Sequence, residues 1–273
     1  MSTEVISGAI GELRSASVAG GTALTTTRSF TQLPLKSYHL FVTPRNFGGA
    51  SVARIFVNPW LFVLKTLDLL STPPIDYSDA AQDSDATTDI VLSSLGTLAN
   101  GDYLLIGSHI PFGGVNVDID AANSIASVLL VEYWNGQSWV TISATDGTAS
   151  AGATFAIDGN VTWTVPTTWA ASSLTEIADI GLQITNETFP GRQERLFWTR
   201  WTVSVALDSS TTVNSMVSIN RSTAYFELLS GQMIEQRINH GPMGIGCVEA
   251  VTDAGTANLL VEVACLRDGE FRS

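Results

Sequence analysis

At 273 residues, with 45% apolar and only 14% charged side chains, the chain is long enough to bury roughly 70–75% of its unfolded surface, so it needs no disulfide or metal staple. The charge content lies well under the roughly 25% of an average soluble domain. The difference is made up by Thr, Ser, Ala, Val and Gly, which favours strands joined by small-residue turns, because β-branched side chains suit a pleated surface and Gly supplies the unusual turn angles.

The net charge of −13 argues against a nucleic-acid partner, which requires clustered Lys and Arg. The longest apolar stretch, 60–70, is broken by Lys65 and Asp68 and falls short of the roughly 20 residues that span a bilayer, so no membrane partner is expected. No cationic start followed by an apolar run opens the sequence, and folding in a cytoplasm is the expectation. The charge is also segregated. Residues 1–65 hold six cations against Glu4 and Glu12, whereas residues 66–191 contain fifteen acids and no Lys or Arg. Such a division implies that the two parts face different surroundings, the first an acidic partner surface and the second open water.

In chain order, residues 1–30 are rich in Ser, Thr, Ala and Gly without a sustained hydrophobic period, which predicts an extended N-terminal arm ordered only against a neighbour. Strands are expected at 38–42 and 52–57, joined by a loop through Pro44, Asn46 and Gly48-Gly49. Asn58-Pro59 followed by Trp60, Leu61, Leu64 and Leu67 has the spacing of a short capped helix, favoured over a third strand. Together these make an N-terminal β region over 31–87.

A second series of strands follows at 90–92, 103–106, 115–119, 127–134, 139–143 and 161–165. It is punctuated by Asn100-Gly101, Gly113-Gly114, Asn135-Gly136, Asp146-Gly147 and Asp158-Gly159. Turn signals every eight to twelve residues are the mark of a sandwich or jelly roll. Ser173-Leu174-Thr175-Glu176 matches a capping box for one or two helical turns. The alternating 196–205 strand, with aromatics on both faces, calls for cover on both sides and closes a module over 88–207.

The C-terminal region, 208–273, reads as strands at 223–229 and 233–238 and a hairpin at 247–266, expected to share one small sheet with 31–70. Cys247 and Cys265 fall in the two arms of that hairpin. In a reducing compartment they are expected as small buried apolar residues and not as a disulfide. The fold class is therefore all-β: a jelly-roll-like β-sandwich with an extended arm and a second small β region.

Motifs for chemistry are scarce. Only His39, His109 and His240 are present, and no His-Glu-x-x-His, phosphate-binding loop, nucleophile elbow or Cys-pair metal signature occurs, so no catalytic residue and no cofactor is assigned. Ser108 and His109 are adjacent in a candidate strand and point to opposite faces. Asp118 and Asp120, on one side of a strand, and Asp83 and Asp85, in a loop, are the candidates for calcium, which prefers several oxygen ligands. The loop lacks the Gly and bidentate Glu of a helix-loop-helix site, and solvated acids are the alternative. Tyr133, Trp134 and Trp139 have the residue types of a carbohydrate platform, although rings at hairpin ends in a sandwich more often pack. Arg14, Arg28, Arg45, Arg192 and Arg195 are the candidate partner contacts.

The run Tyr133-Trp134-Asn135-Gly136-x-Ser138-Trp139-Val140, then Asp146-Gly147-Thr148, Asp158-Gly159-x-Val161-x-Trp163-x-Val165-Pro166-x-x-Trp169 and Phe197-Trp198-x-Arg200 resembles a sandwich module of tailed-bacteriophage virion proteins, over roughly residues 88–207. Related modules occur in tail, baseplate and head-surface components, so the resemblance implies a virion protein without placing it in the particle, and it brings no catalytic residues. The expectation is a non-enzymatic capsid decoration or cement protein bound to the major capsid protein or other virion proteins, as a homo-oligomer with a trimer favoured. The alternative is a tail, baseplate or fibre component that binds host-surface carbohydrate.

Overall fold

The structure is a computed structural model that describes residues 12–15, 21–33, 37–66, 73–82, 85, 87–93, 95–97, 99, 101–177, 195–219, 225–237 and 245–265. Five strands come first: β1 (Glu12–Ser15), β2 (Thr22–Leu24), β3 (Ser29–Gln32), β4 (Ser37–Gly48) and β5 (Ala53–Pro59). Then follow β6 (Phe62–Lys65), β7 (Ile75–Asp76), β8 (Ile90–Val91), β9 (Leu104–Ser108), β10 (Gly114–Ala121) and β11 (Leu129–Trp134). Next are β12 (Trp139–Ile142), β13 (Thr145–Asp146), β14 (Gly159–Thr162), β15 (Ala171–Ser172), β16 (Leu196–Val203) and β17 (Thr212–Ser218). The chain closes with β18 (Phe226–Leu228), β19 (Ile234–Arg237), β20 (Ile245–Thr252) and β21 (Thr256–Cys265). The protein is all-β and its sheets are antiparallel. Helical structure among the described residues is 3-10 alone, including the turn Ala80–Gln82, and no helix among them is long and apolar enough to cross a membrane.

The chain folds into two compact units, one built from residues 1–57 and 224–273 and the other from residues 58–223. The second is thus an insertion into the first, wider than the module expected over 88–207. In the first unit, one sheet has the order β1-β21-β4-β19 with β2 also on β21, and the other has the order β18-β5-β20-β3. Leu40 and Val42 of β4 and Leu259, Val261 and Val263 of β21 meet Ala53, Ile55, Val248 and Ala250 of the other sheet in one apolar core. The N- and C-terminal strands therefore form two sheets, where one was expected.

Several local expectations are corrected here. Residues 12–15, 22–24 and 29–30, expected in an arm ordered only against a neighbour, pair with β21 and β20 of their own chain. Ladder bonds are made by the backbone, so a Ser/Thr-rich segment without a hydrophobic period can fill a strand position when its neighbour supplies the pattern. In β2 the one fully buried side chain is Leu24. The expected loop through Pro44 is strand: β4 runs on to Gly48, with Asn46 at a φ of 53° and a register shift in the facing β21.

Residues 62–65, read as helix, form β6, and all four of its side chains are buried. A strand buried on both faces gives a continuous apolar run that periodicity cannot tell from a helix. Asn58, expected to cap that helix, instead sends its Nδ2 to the Ser218 carbonyl at 2.6 Å. The expected hairpin over 247–266 is a corner, because β20 and β21 lie in different sheets. Gly255, at a φ of 56°, makes the turn where an added Cβ would stand 2.3 Å from the Gly48 oxygen, an approach open to glycine alone. Cys247 is buried in β20, and the side chain of Cys265 lies outside the described residues.

The inserted unit is a β-sandwich of a sheet in the order β13-β14-β10-β17-β8 and a larger one in the order β12-β11-β16-β9-β6-β7, with β15 on β16. Its strand order is its own: β9, β10, β11, β14, β16 and β17 alternate between the sheets, and sequence neighbours pair at β6–β7, β11–β12, β13–β14 and β15–β16. A chain of rings welds the two layers. Tyr133 lies 6.2 Å from Trp169, Trp169 lies 5.9 Å from Phe197 and 5.2 Å from Phe112, and Phe112 lies 5.5 Å from Trp163. Trp163 lies 6.2 Å from Trp201, which lies 6.4 Å from Phe155.

Such pairs add about 0.5–1.5 kcal/mol each beyond the area they bury. Four of the indoles also place their N–H in hydrogen bonds. Trp163 Nε1 donates to the Phe112 carbonyl, Trp169 Nε1 to Trp198, Trp198 Nε1 to Ser172 and Trp201 Nε1 to Thr199 Oγ1, all at 2.9–3.1 Å.

Candidate functional site

The outer face of the larger sheet is built by register. Glu132 of β11 stands opposite Arg200 of β16, which stands opposite Leu105 of β9, and Trp134 opposes Trp139 across the β11–β12 hairpin. Partners in a ladder share a face, so these side chains lie on the side away from the ring chain around Trp201. Arg200 donates from Nε to Glu132 Oε2 at 2.9 Å, with its Nη2 2.7 Å from the same oxygen, and both residues are buried.

The Arg200 guanidinium is clasped by two rings. Its carbon lies 4.8 Å from the centre of Trp139 and 5.5 Å from that of Tyr103. Trp139 in turn meets Trp134 edge-on at 5.4 Å. A buried ion pair holds where its charges are hydrogen-bonded and covered, and Trp139 supplies part of the cover.

This arrangement settles where the expected carbohydrate residues lie. Tyr133 and Trp134 are buried, with the Tyr133 hydroxyl 2.7 Å from Thr168 Oγ1. Trp139 is half-buried against Arg200. The hairpin is held by Asn135, whose Oδ1 accepts from the Gln137 and Ser138 N–H groups, and Gly136 takes a φ of 95°. The Asn-Gly pair in the motif is therefore turn chemistry. The Asp146-Gly147-Thr148 segment acts likewise, since Asp146 Oδ1 accepts from Thr148 N and Oγ1.

The calcium candidates do not converge. Asp118 accepts from Asn214 Nδ2 at 2.7 Å and Asp120 from Thr212 Oγ1 at 3.0 Å, each tying β10 to β17. Asp85 is exposed and accepts from Thr87 N and Oγ1, and these bonds hold its carboxyl below the usual range. Asp83 lies outside the described residues. Among the described residues no three His, Cys, Asp or Glu side chains gather as a metal site would require. Loss of water, with the nearby Asp120 charge, pushes Asp89 up.

Of the candidate partner contacts, Arg28 pairs with Glu249, whose side chain is fully buried, and lies 4.9 Å over the Phe56 ring. Arg195 pairs with Glu176 at 2.5 Å and donates to the Ala171 carbonyl. Arg45 is exposed on β4. The side chains of Arg14 and Arg192 lie outside the described residues. Glu176 also accepts from Ser173 N at 2.9 Å, one half of the capping box, around a turn at 174–176.

On the same outer face of the first unit, Phe56 meets Tyr225 at 5.4 Å, Tyr225 carries the Arg54 guanidinium at 5.5 Å, and Arg54 pairs with Glu227 at 3.1 Å. This ladder of two Arg, two rings and two Glu has no counterpart in the sequence reading. It arises because β18 brings residues 225–227 beside β5, a pairing of residues some 170 positions apart. Lys65 is the other residue missed. It was read as an interruption of an apolar run, yet it is buried and donates to the Val91 carbonyl at 2.7 Å, and burial pushes its ammonium down.

Comparison with protein-family models, with curated proteins and with solved structures gives no match.

Proposed function

We propose that the chain is a non-enzymatic structural protein of a bacteriophage particle, acting as a shell-decorating cement protein that stabilises the capsid through protein–protein contacts. One observation carries the reading. The aromatic residues between Tyr133 and Trp201, which hold the resemblance to virion modules, are used for packing: they join two sheets and clasp a buried ion pair. A rigid sandwich of this kind suits adhesion, since interface strength depends on presenting a fixed surface that loses little freedom on binding. Most of the net charge lies in the inserted unit, since residues 1–57 and 224–273 together carry only −1 of the −13, which supports contact through the first unit with the acidic inserted unit turned to water.

The test is electron microscopy of particles labelled by an antibody raised against the purified chain. Labels distributed over the head are expected. Labels confined to the tail would overturn the decorating role, and unlabelled particles would overturn the virion assignment altogether.

A further inference from the structure

In the first unit, β18 and β19 are the outermost strands of their two sheets, and the five residues 229–233 join them. They therefore form one border of that sandwich. Gly231 N–H donates to the Pro44 carbonyl at 2.8 Å, which holds the connection against β4. Along this border Tyr225 is 39% exposed, Phe226 46%, Leu229 53% and Met233 57%. These are four partly exposed apolar side chains within nine residues of sequence, and exposed apolar residues concentrated at one border favour an interaction surface.

Among the described residues β19 pairs with β4 alone. Natural sheets blunt such edges with short strands, charged side chains, Pro or bulges; Ile234-Glu235-Gln236-Arg237 is short and carries two charges, but it has no Pro and keeps an unbroken register with β4.

The charges on this edge select its occupant. Glu235 and Arg237 are two residues apart, so they share the exposed face of β19. In an antiparallel pair of two β19 strands related by a two-fold through Gln236, Glu235 of each copy stands opposite Arg237 of the other. The sequence is thus complementary to itself, as a two-fold interface requires. We propose that a second copy of this chain docks here, β19 against β19, with two crossed Glu235–Arg237 pairs and with Phe226, Leu229 and Met233 covered at the flanks. The pairing closes at two copies, in place of the trimer expected from shell symmetry. This pairing is independent of the proposed placement on a shell. The test below reads association alone, so its failure leaves the placement on a shell untouched.

The experiment is sedimentation equilibrium of the full chain over a range of concentrations, with melting followed by circular dichroism as a check on folding. The expected species is a dimer of twice the 29.0 kDa chain mass. Arg237→Glu turns two opposite-charge pairs into two like-charge pairs and weakens the dimer by about tenfold or more. The double variant Glu235→Arg/Arg237→Glu restores the crossed pairs and brings the dimer back.

Glu235 also contacts His39 Nε2 at 2.8 Å within its own chain, and the double variant loses that contact. Recovery of the dimer in the double variant therefore reports the interface and not the His39 contact. A monomer at every concentration, a trimer, a dimer indifferent to Arg237→Glu, or a double variant that stays monomeric while melting as a folded protein would each overturn the proposal.

Discussion

At single residues, a few charges are committed inward: Lys65, Glu132, Arg200 and Glu249 are buried. Glu132 is the sharpest case, because removing one member of a buried pair strands the other without water. Glu132→Ala is expected to cost ~3–5 kcal/mol in denaturant unfolding followed by Trp fluorescence. Glu132→Leu/Arg200→Met, which removes both charges at once, is expected to recover most of that loss.

Asp208 behaves differently, since it is tied by hydrogen bonds and not by a cation. Its carboxylate accepts from Ser124 N and Oγ, Ser210 N and Oγ, and Thr211 Oγ1, which holds its carboxyl far below the usual range. The folded state thus favours the ionised form. Its contribution is complete above the ordinary carboxyl value of about 4 and is lost as pH falls toward the depressed one. Asp208→Asn is expected to lower the melting temperature at pH 7, with the gap from the parent shrinking below about pH 4. A gap independent of pH would refute this account. The Glu132–Arg200 pair and the Asp208–Ser124 contacts were invisible in the sequence, because partners 68 and 84 positions apart become neighbours only through strand order, whereas the bonds of Asp208 to Ser210 and Thr211 are local.

At the level of elements, close approach decides which positions tolerate change. Gly107 of β9 lies under the Trp198 ring, and an added Cβ would stand 2.5 Å from its Cε3. Gly107→Ala therefore forces the indole off its hydrogen bond to Ser172 and is expected to cost ~1–3 kcal/mol, measured as a shift in the denaturant midpoint. Strand positions in the inserted unit were largely legible: 129–134, 139–142 and 196–203 fall where alternation and Asn-Gly or Asp-Gly turns put them. β6 was not, since burial on both faces erases the period of two that separates strand from helix. The strands within residues 12–32 were not legible either, because their signal resides in the partners β20 and β21.

For the whole molecule, two apolar cores that share no buried residue predict two unfolding transitions. Trp201→Ala, which empties the centre of the ring chain, is expected to lower one transition by ~3–5 kcal/mol, and Leu259→Ala to lower the other by ~2–5 kcal/mol. Differential scanning calorimetry on the two variants checks this assignment. A common shift of a single transition would mean that the units unfold together.

The sequence alone determined the all-β class and the turn positions of the inserted sandwich, and it favoured packing over a carbohydrate platform for the aromatic motif. These depend on local chemistry: β-branched alternation, the φ freedom of Gly, and Asn or Asp side chains folding back on their own backbone. Tertiary structure alone decided that the terminal strands make two sheets, that Glu132 and Glu249 are buried against Arg200 and Arg28, and that β19 is left at an edge. Each of these depends on which strand lies beside which, and the hydrogen bonds that choose a neighbour belong to the backbone, which is the same at every residue but proline.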